Sequence, residues 1–255
     1  MQVLSSSSLS TVPSIRHGFF HPGDCARVED NLSFKNGTEV QVQQARRNAC
    51  ALLGIQSEFL ACLFQEHGTV IWRAERTSRG CGALTGEGQI GNGDGLITCE
   101  RHVPLTILIA DCLPVFFASR DGVAIGLAHA GWRGTHGNIS GKMVRRFETE
   151  FAVPPSELLV WIGPGISRCC FQVKDDVWGP FQQDWGHLPS AFDVSHQKID
   201  LKAINQYQLQ DAGVPEAQID VSSACTCCNP IFFSYRRDGD GIGHNMAVIQ
   251  IDGEL

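Results

Sequence analysis

Long hydrophobic runs are missing from this 255-residue chain. The longest apolar stretches, residues 105–110 and 123–130, fall far short of the roughly 20 residues a membrane helix requires, so no membrane span is expected. Residues 1–10 lack a basic start followed by an apolar block, which argues against a secretory leader and for a cytoplasmic protein. Basic clusters never exceed the pairs Arg46-Arg47, Arg145-Arg146 and Arg236-Arg237, and the net charge is -7. That balance removes the electrostatic footprint of a nucleic-acid binder. No internal period, low-complexity tract or Ser/Pro-rich linker divides the sequence, and residues 1–255 are expected to form one domain. Cysteine is not scarce, but eleven is an odd number in a mid-sized chain and reads as reduced thiols rather than a disulfide framework. Cys50 and Cys62, set among Ala and Leu, read as small core residues.

Hydrophobic spacing predicts helices over 41–53, which ends at Gly54, over 134–151, with Met143, Val144 and Phe147 on one face, and over 200–212, which ends at Gly213. Strands are predicted over 59–64, 69–74, 105–110, 113–118, 123–129, 158–162, 218–222, 231–235 and 246–251, the central three as buried neighbours. Strands and helices mixed without regular alternation favour an α+β fold over a doubly wound sheet.

Three residues able to ligate a metal stand in segments rich in small or sharply turning residues. They are His67 in Gln65-Glu66-His67-Gly68, Cys112 in Ala110-Asp111-Cys112-Leu113-Pro114, and His129 in His129-Ala130-Gly131-Trp132-Arg133-Gly134. Zinc takes four protein ligands in structural sites and three plus water in catalytic ones, so a set that stops at three points to chemistry. Their separations fit no zinc-finger spacing, and the ligands would converge only through the fold. On the strand pattern, Cys112 falls in a tight turn and His129 at a strand end.

Together these segments resemble the laccase-domain family of bacterial purine nucleoside phosphorylases, formerly described as multicopper polyphenol oxidases. The likeness extends through Ile162-Gly163-Pro164-Gly165-Ile166, Asp200-Leu201, Cys225-Thr226 and Phe233-Ser234-Tyr235-Arg236-Arg237-Asp238-Gly239, with looser agreement at Arg16, Asn31-Leu32 and Arg47. The resemblance implies a mixed α/β sandwich of two sheets with outer helices, and a zinc held by His67, Cys112 and His129, copper being the alternative metal. It further implies purine nucleosides and phosphate as substrates: phosphorolysis of adenosine, inosine and methylthioadenosine, with hydrolytic deamination of adenosine. A monomer or homodimer is expected.

Phosphorolysis asks for an anion site, and guanidinium groups bind phosphate in a fork. Arg133 and Arg47 are the favoured candidates, with Arg236 and Arg237 balanced between that role and internal pairing. Gln65 is expected to meet a purine edge, while Trp132 suits a core or a stacking role equally. Deamination also needs an acid/base group. Glu66 abuts His67 but points to the opposite face if its segment is extended, and Asp111 reads as structural or as an acceptor for a ligating His. Two departures from the family pattern stand out: His244 where the family has Arg, and Arg46 where it has Asn. His244 would serve an anion only when protonated. Cys225-Thr226-Cys227-Cys228 and Cys169-Cys170 are read as structural or adventitious, and the glycine-rich run 86–95 as a mobile loop without phosphate-binding context.

Three other readings compete. Cys112 could be a thiolate nucleophile with His129 as base, giving a hydrolase or transferase. A copper-dependent polyphenol oxidase would need more ligand clusters than the sequence displays. A purely structural metal would need a fourth ligand, for which His102 and His136 are the candidates.

Overall fold

In the computed structural model, which describes residues 1–23 and 28–253, apolar strands buried on both faces build two stacked sheets with helices outside them. The strands are β1 (Gln2–Leu4), β2 (Ile15–His21), β3 (Ala61–Cys62), β4 (Ile71–Arg73), β5 (Gly95–Thr98), β6 (Leu105–Ile109), β7 (Leu113–Ser119), β8 (Ile125–Ala130), β9 (Leu158–Ile162), β10 (Phe192–Asp193), β11 (Lys198–Ile199), β12 (Ile219–Val221) and β13 (Asn245–Ile251). The helices are α1 (Glu39–Ala51), α2 (Trp132–His136), α3 (Ile139–Phe151), α4 (Asp175–Trp185), α5 (Leu201–Asp211) and α6 (Tyr235–Asp238). One sheet has the order β1-β2-β13-β6-β3 and the other β12-β9-β7-β8-β5-β4, with β10 and β11 forming a separate pair. This is the expected α+β class with two sheets and outer helices.

Strand periodicity sorts the core. Along β7, Leu113, Val115 and Phe117 face α3 and α5, while Phe116 and Ala118 face the other sheet. On β13, Ala247, Ile249 and Ile251 enter the layer between the sheets, and Met246 and Val248 pack with Ala45, Ala49 and Cys50 of α1. Because both faces of each sheet are covered, the central strands read as near-continuous apolar runs rather than as alternating ones.

Helix boundaries follow local chemistry. Thr38 and Gln41 form a capping box at the start of α1, and Asp200 accepts from the backbone N–H of Ala203 at the start of α5. The single helix expected over 134–151 is two: Gly137 ends α2, and Asn138, at φ 60, restarts the chain as α3 by accepting from the backbone N–H of Gly141. Residues 231–235 are not a strand. Ile231 and Phe232 turn back through bonds to Asn229, and Ser234 caps α6 instead. Most of 59–64 is also not strand, since Ser57–Phe59 closes a 3-10 turn and only Ala61 and Cys62 pair with β6. The expected neighbours β6 and β7 lie in different sheets; only β7 and β8 pair.

The first strand hairpin is fastened to the second sheet by buried polar groups. The backbone N–H of Ser6 donates to His17 Nε2 at 2.9 Å, Ser6 Oγ donates to Asp220 Oδ2 at 2.6 Å, and the His17 ring sits edge-on to Phe116 and Trp161. Burial lowers the His17 pKa to about 4. A histidine less basic when folded than when unfolded gives stability that is complete above pH ~6.5 and is lost as the pH falls toward 4, on the order of 3 kcal/mol. His17→Gln keeps an acceptor for Ser6. It is expected to reduce by about one proton the slope of unfolding free energy between pH 6.5 and 4 in urea titrations; an unchanged slope would show that His17 is not the titrating group.

Candidate metal centre

Cys112 stands where the chain leaves one sheet for the other. Between β6 and β7, Asp111 adopts φ 88, a left-handed conformation that Asp tolerates better than most side chains. Its buried carboxylate is fully engaged: Oδ1 accepts from Thr226 Oγ1 and Oδ2 from the backbone N–H of Arg236, both at 2.6 Å. Asp111 therefore pins the crossing to the 226–236 segment and holds Cys112 at its tip. It makes no bond to a ligand histidine.

The histidine partner is Asp94, which is fully buried at the start of β5. Its Oδ1 lies 2.7 Å from His129 Nδ1 and accepts the backbone N–H of His67 at 3.0 Å; its Oδ2 accepts those of Gly68 at 2.6 Å and Glu66 at 3.3 Å. A carboxylate only accepts, so Nδ1 carries a proton and Nε2 is the nitrogen left to meet a metal. The same carboxylate fixes the ring of one histidine and the backbone of the other. His67 itself takes φ 62, so the turn at 66–68 depends on those bonds. Gly131 completes the arrangement, since a Cβ there would come within 3.0 Å of Cys112 Sγ and 3.1 Å of His67 Cδ2.

A ligand atom from each of His67, Cys112 and His129 lies within 4.8 Å of the others, with His129 buried, Cys112 half-buried and His67 exposed. Burial by itself would raise the Cys112 thiol, but the charge and hydrogen bonds of His129 and His67 outweigh it and bring it down to about 6. Burial likewise opposes charge on His129, yet Cys112 and Asp94 carry it up to about 9. Hydrogen bonds from His129, Gly68 and His67 overcome desolvation to keep Asp94 below its ordinary value. Two nitrogens and a thiolate in this arrangement suit a zinc ion, and the group admits no fourth His, Cys or carboxylate among the described residues. His102 bonds Gly253 O and His136 faces Asp184, so neither closes the set.

The other expected contacts are distributed unevenly. Arg133 is exposed in the first turn of α2, two residues past Gly131, with its guanidinium 4.1 Å from the half-buried Trp132 ring. Arg47 is on the exposed side of α1, against the other sheet, and donates to Gln44. Its neighbour Arg46 is the buried one, donating to the carbonyls of Leu32, Gly82 and Ala83. Both ends of the Gln65 amide pair with the backbone of Leu108. Arg236 donates to the carbonyls of Cys170 and Gln172, and Arg237 to those of Thr226, Asn229 and Phe232, so both knit loops together. Glu66 turns outward to Asn92. His244 is held below its usual pKa, at about 4, chiefly by burial and also by the charges of Lys35 and His129, so it cannot replace an arginine as a cation at neutral pH.

Asp94 lies at the end of the glycine-rich run 86–95, whose composition predicts a mobile loop and hides its role. Its flanking Gly93 and Gly95 were the available signal, since glycine on both sides marks close backbone approach. Asp94→Asn is expected to weaken zinc binding by about 10- to 100-fold with all three ligands intact, measured by competition with a chelating dye. Unchanged affinity would remove Asp94 from the site.

The chain matches the family profile described as multi-copper polyphenol oxidoreductase laccase over residues 15–252. Among curated relatives, it is 37% identical to "Purine nucleoside phosphorylase YlmD" of Geobacillus stearothermophilus over 92% of this chain and 87% of that one. It is 32% identical to a purine nucleoside phosphorylase of Xylella fastidiosa over 85% and 84%. The crystal structure of YlmD from Geobacillus stearothermophilus superposes with a TM-score of 0.88 at 32% identity, over 97% of this chain and 94% of that one.

Proposed function

Because the chain belongs to the multi-copper polyphenol oxidoreductase laccase family, we propose that it is a zinc-dependent purine nucleoside phosphorylase whose metal ligands are His67, Cys112 and His129. The observation that carries this reading is the group of three potential ligands with one imidazole locked by Asp94, which would leave a coordination position open on a bound zinc. The names of the relatives support the reaction class, and those relatives match this chain over most of their length. When bound, zinc would supply Lewis-acid polarisation at the site.

The remaining work falls to the chain's own groups. Asp94 keeps the Nδ1 proton of His129 in place and so presents Nε2 inward. The depressed thiol of Cys112 supplies a thiolate near neutral pH. Arg133 is assigned to phosphate in preference to Arg47, because it alone of the two follows closely on Gly131, which lies against Cys112 and His67, and its stacking on Trp132 orients the guanidinium. Adenosine, inosine and methylthioadenosine are the proposed substrates. A phosphate oxygen bonds to the anomeric carbon as the carbon–nitrogen bond to the purine breaks, and the base leaves with the electron pair and takes up a proton. Phosphorolysis is the principal reaction and adenosine deamination a side activity. Deamination needs an acid/base carboxylate, and those adjoining the ligands, Glu66 and Asp111, bond to Asn92 and to Thr226 and Arg236. A copper phenol oxidase is disfavoured, because the one other metal-capable group among the described residues contains only cysteine.

A second reading rests on one observation: Cys112, His129 and Asp94 also stand in line as nucleophile, base and orienting carboxylate. His67 has no part in such a triad. Iodoacetamide separates the two. Under the metal reading, Cys112 of the purified protein resists alkylation until a chelator is added; immediate alkylation in metal-loaded protein favours the nucleophile.

The direct test incubates purified protein with adenosine, with and without phosphate, and resolves adenine from inosine by chromatography. Adenine release should require phosphate, and Cys112→Ala should lose both the metal and the activity. Zinc-loaded wild type that turns over no nucleoside overturns the proposal.

A further inference from the structure

A second group of metal-ligating side chains lies outside the site described above. Cys169 and Cys170 follow β9 in the turn after Ile166, and Cys225 and Cys228 belong to the turn after β12. The two turns run alongside each other through a parallel bridge between Gly165 and Cys225 and a bond from the backbone N–H of Thr226 to Gly165 O. Their four sulfurs all lie within 4.8 Å of one another. Cys228 Sγ is 3.5 Å from Cys169 Sγ and 3.3 Å from Cys170 Sγ, well beyond the ~2.05 Å of a disulfide. Around one ion with metal–sulfur bonds of ~2.3 Å, tetrahedral thiolates stand roughly 3.8 Å apart. The two shortest separations fall a few tenths of an ångström inside that value and none exceeds 4.8 Å, which leaves no space for the bridging sulfides of a multi-iron cluster.

The surroundings carry the same message. Although the chain is acidic overall, four cations reach into these two turns through their carbonyls. Lys198 Nζ donates to Cys169 O at 2.8 Å, Arg236 to Cys170 O at 2.7 Å, Lys202 Nζ to Ala224 O at 2.7 Å, and Arg237 to Thr226 O at 3.1 Å. The backbone N–H of Ser167 points at Cys225 Sγ, 3.4 Å away. Four neutral thiols need no such field. Four thiolates around a divalent cation carry two net negative charges and do. Sequence spacing hid the arrangement, because its halves are more than fifty residues apart.

We propose that Cys169, Cys170, Cys225 and Cys228 form a second, closed metal site for a single zinc-class ion, which clamps the turn after β9 to the turn after β12. The clamp is one residue from Thr226, whose hydroxyl holds Asp111 beside Cys112. The clamp therefore stiffens the support of the first site without touching it. The proposal does not depend on which reaction the first site performs.

Metal analysis tests it. Protein expressed with zinc should hold two equivalents per chain. The double variant Cys169→Ser/Cys228→Ser should lose one equivalent and retain the one bound through Cys112, whereas Cys112→Ala should lose the other. Cys227→Ser, inside the same turn but outside the group, should keep both. Cobalt(II) loading should give the intense visible bands of sulfur-rich tetrahedral coordination in Cys112→Ala and not in the double variant. If the double variant does not fold, wild-type protein still decides: Cys169, Cys170, Cys225 and Cys228 should resist N-ethylmaleimide until a chelator is added. No zinc retained by a folded Cys112→Ala, unchanged zinc in a folded double variant, alkylation at the same rate with and without chelator, or disulfides among these four cysteines in the purified protein would each overturn the proposal.

Discussion

Everything at the histidine–cysteine centre depends on one buried carboxylate. Asp94 has no exposure, yet it remains ionised because donors surround it: an imidazole N–H and three successive backbone amides. An unpaired carboxylate at that depth would cost several kcal/mol, so the donors and the acid stabilise one another as a unit. The geometry of that unit determines which nitrogen His129 presents and forces His67 into a left-handed turn that it would not otherwise hold. The candidate ligands are thus placed by a residue outside their group.

The same logic extends to the opposite side of Cys112. Asp111 is as deeply committed as Asp94, but to Thr226 and the Arg236 amide, and it positions the crossing between the sheets rather than a ring. Two carboxylates adjacent to the ligands in space therefore act through different partners. Arg236 and Arg237 extend the support by tying carbonyls of three separate turns together. Arg236 and Arg237 are occupied in holding the frame, whereas Arg133 stays exposed two residues past Gly131, which lies against Cys112 and His67.

Much of this was legible in the sequence, for reasons that differ between elements. Helices α1 and α5 were readable because caps and terminating glycines mark their ends, and β7, β8 and β13 because apolar residues covered on both faces make unbroken runs. The segments that bring His67, Cys112 and His129 together stood out through the small residues that crowd them. Strand β2 was not, since Arg16, His17 and Gly18 disguise a strand whose polar groups find partners only across the sandwich. Helix α4 was obscured by Gly179 and Pro180 within it. Asp94 was missed because its role exists only once residues 66–68 and 129 are folded around it, and the break at Gly137 because Asn138 restarts a helix by a side-chain bond that periodicity does not reveal.

The order of strands also has a consequence for synthesis. Strand β13 is central in its sheet, paired on one side with β2 and on the other with β6, so that Phe20 and Leu108 both meet Met246. Until that strand leaves the ribosome, β2 and β6 have an open slot between them, and each exposes a row of unsatisfied backbone groups. The six-stranded sheet pairs mostly between nearby segments and can form earlier, but its inner face then waits uncovered. A nascent chain of this fold consequently carries an uncovered apolar face and two open strand edges until residues 245–251 are in place.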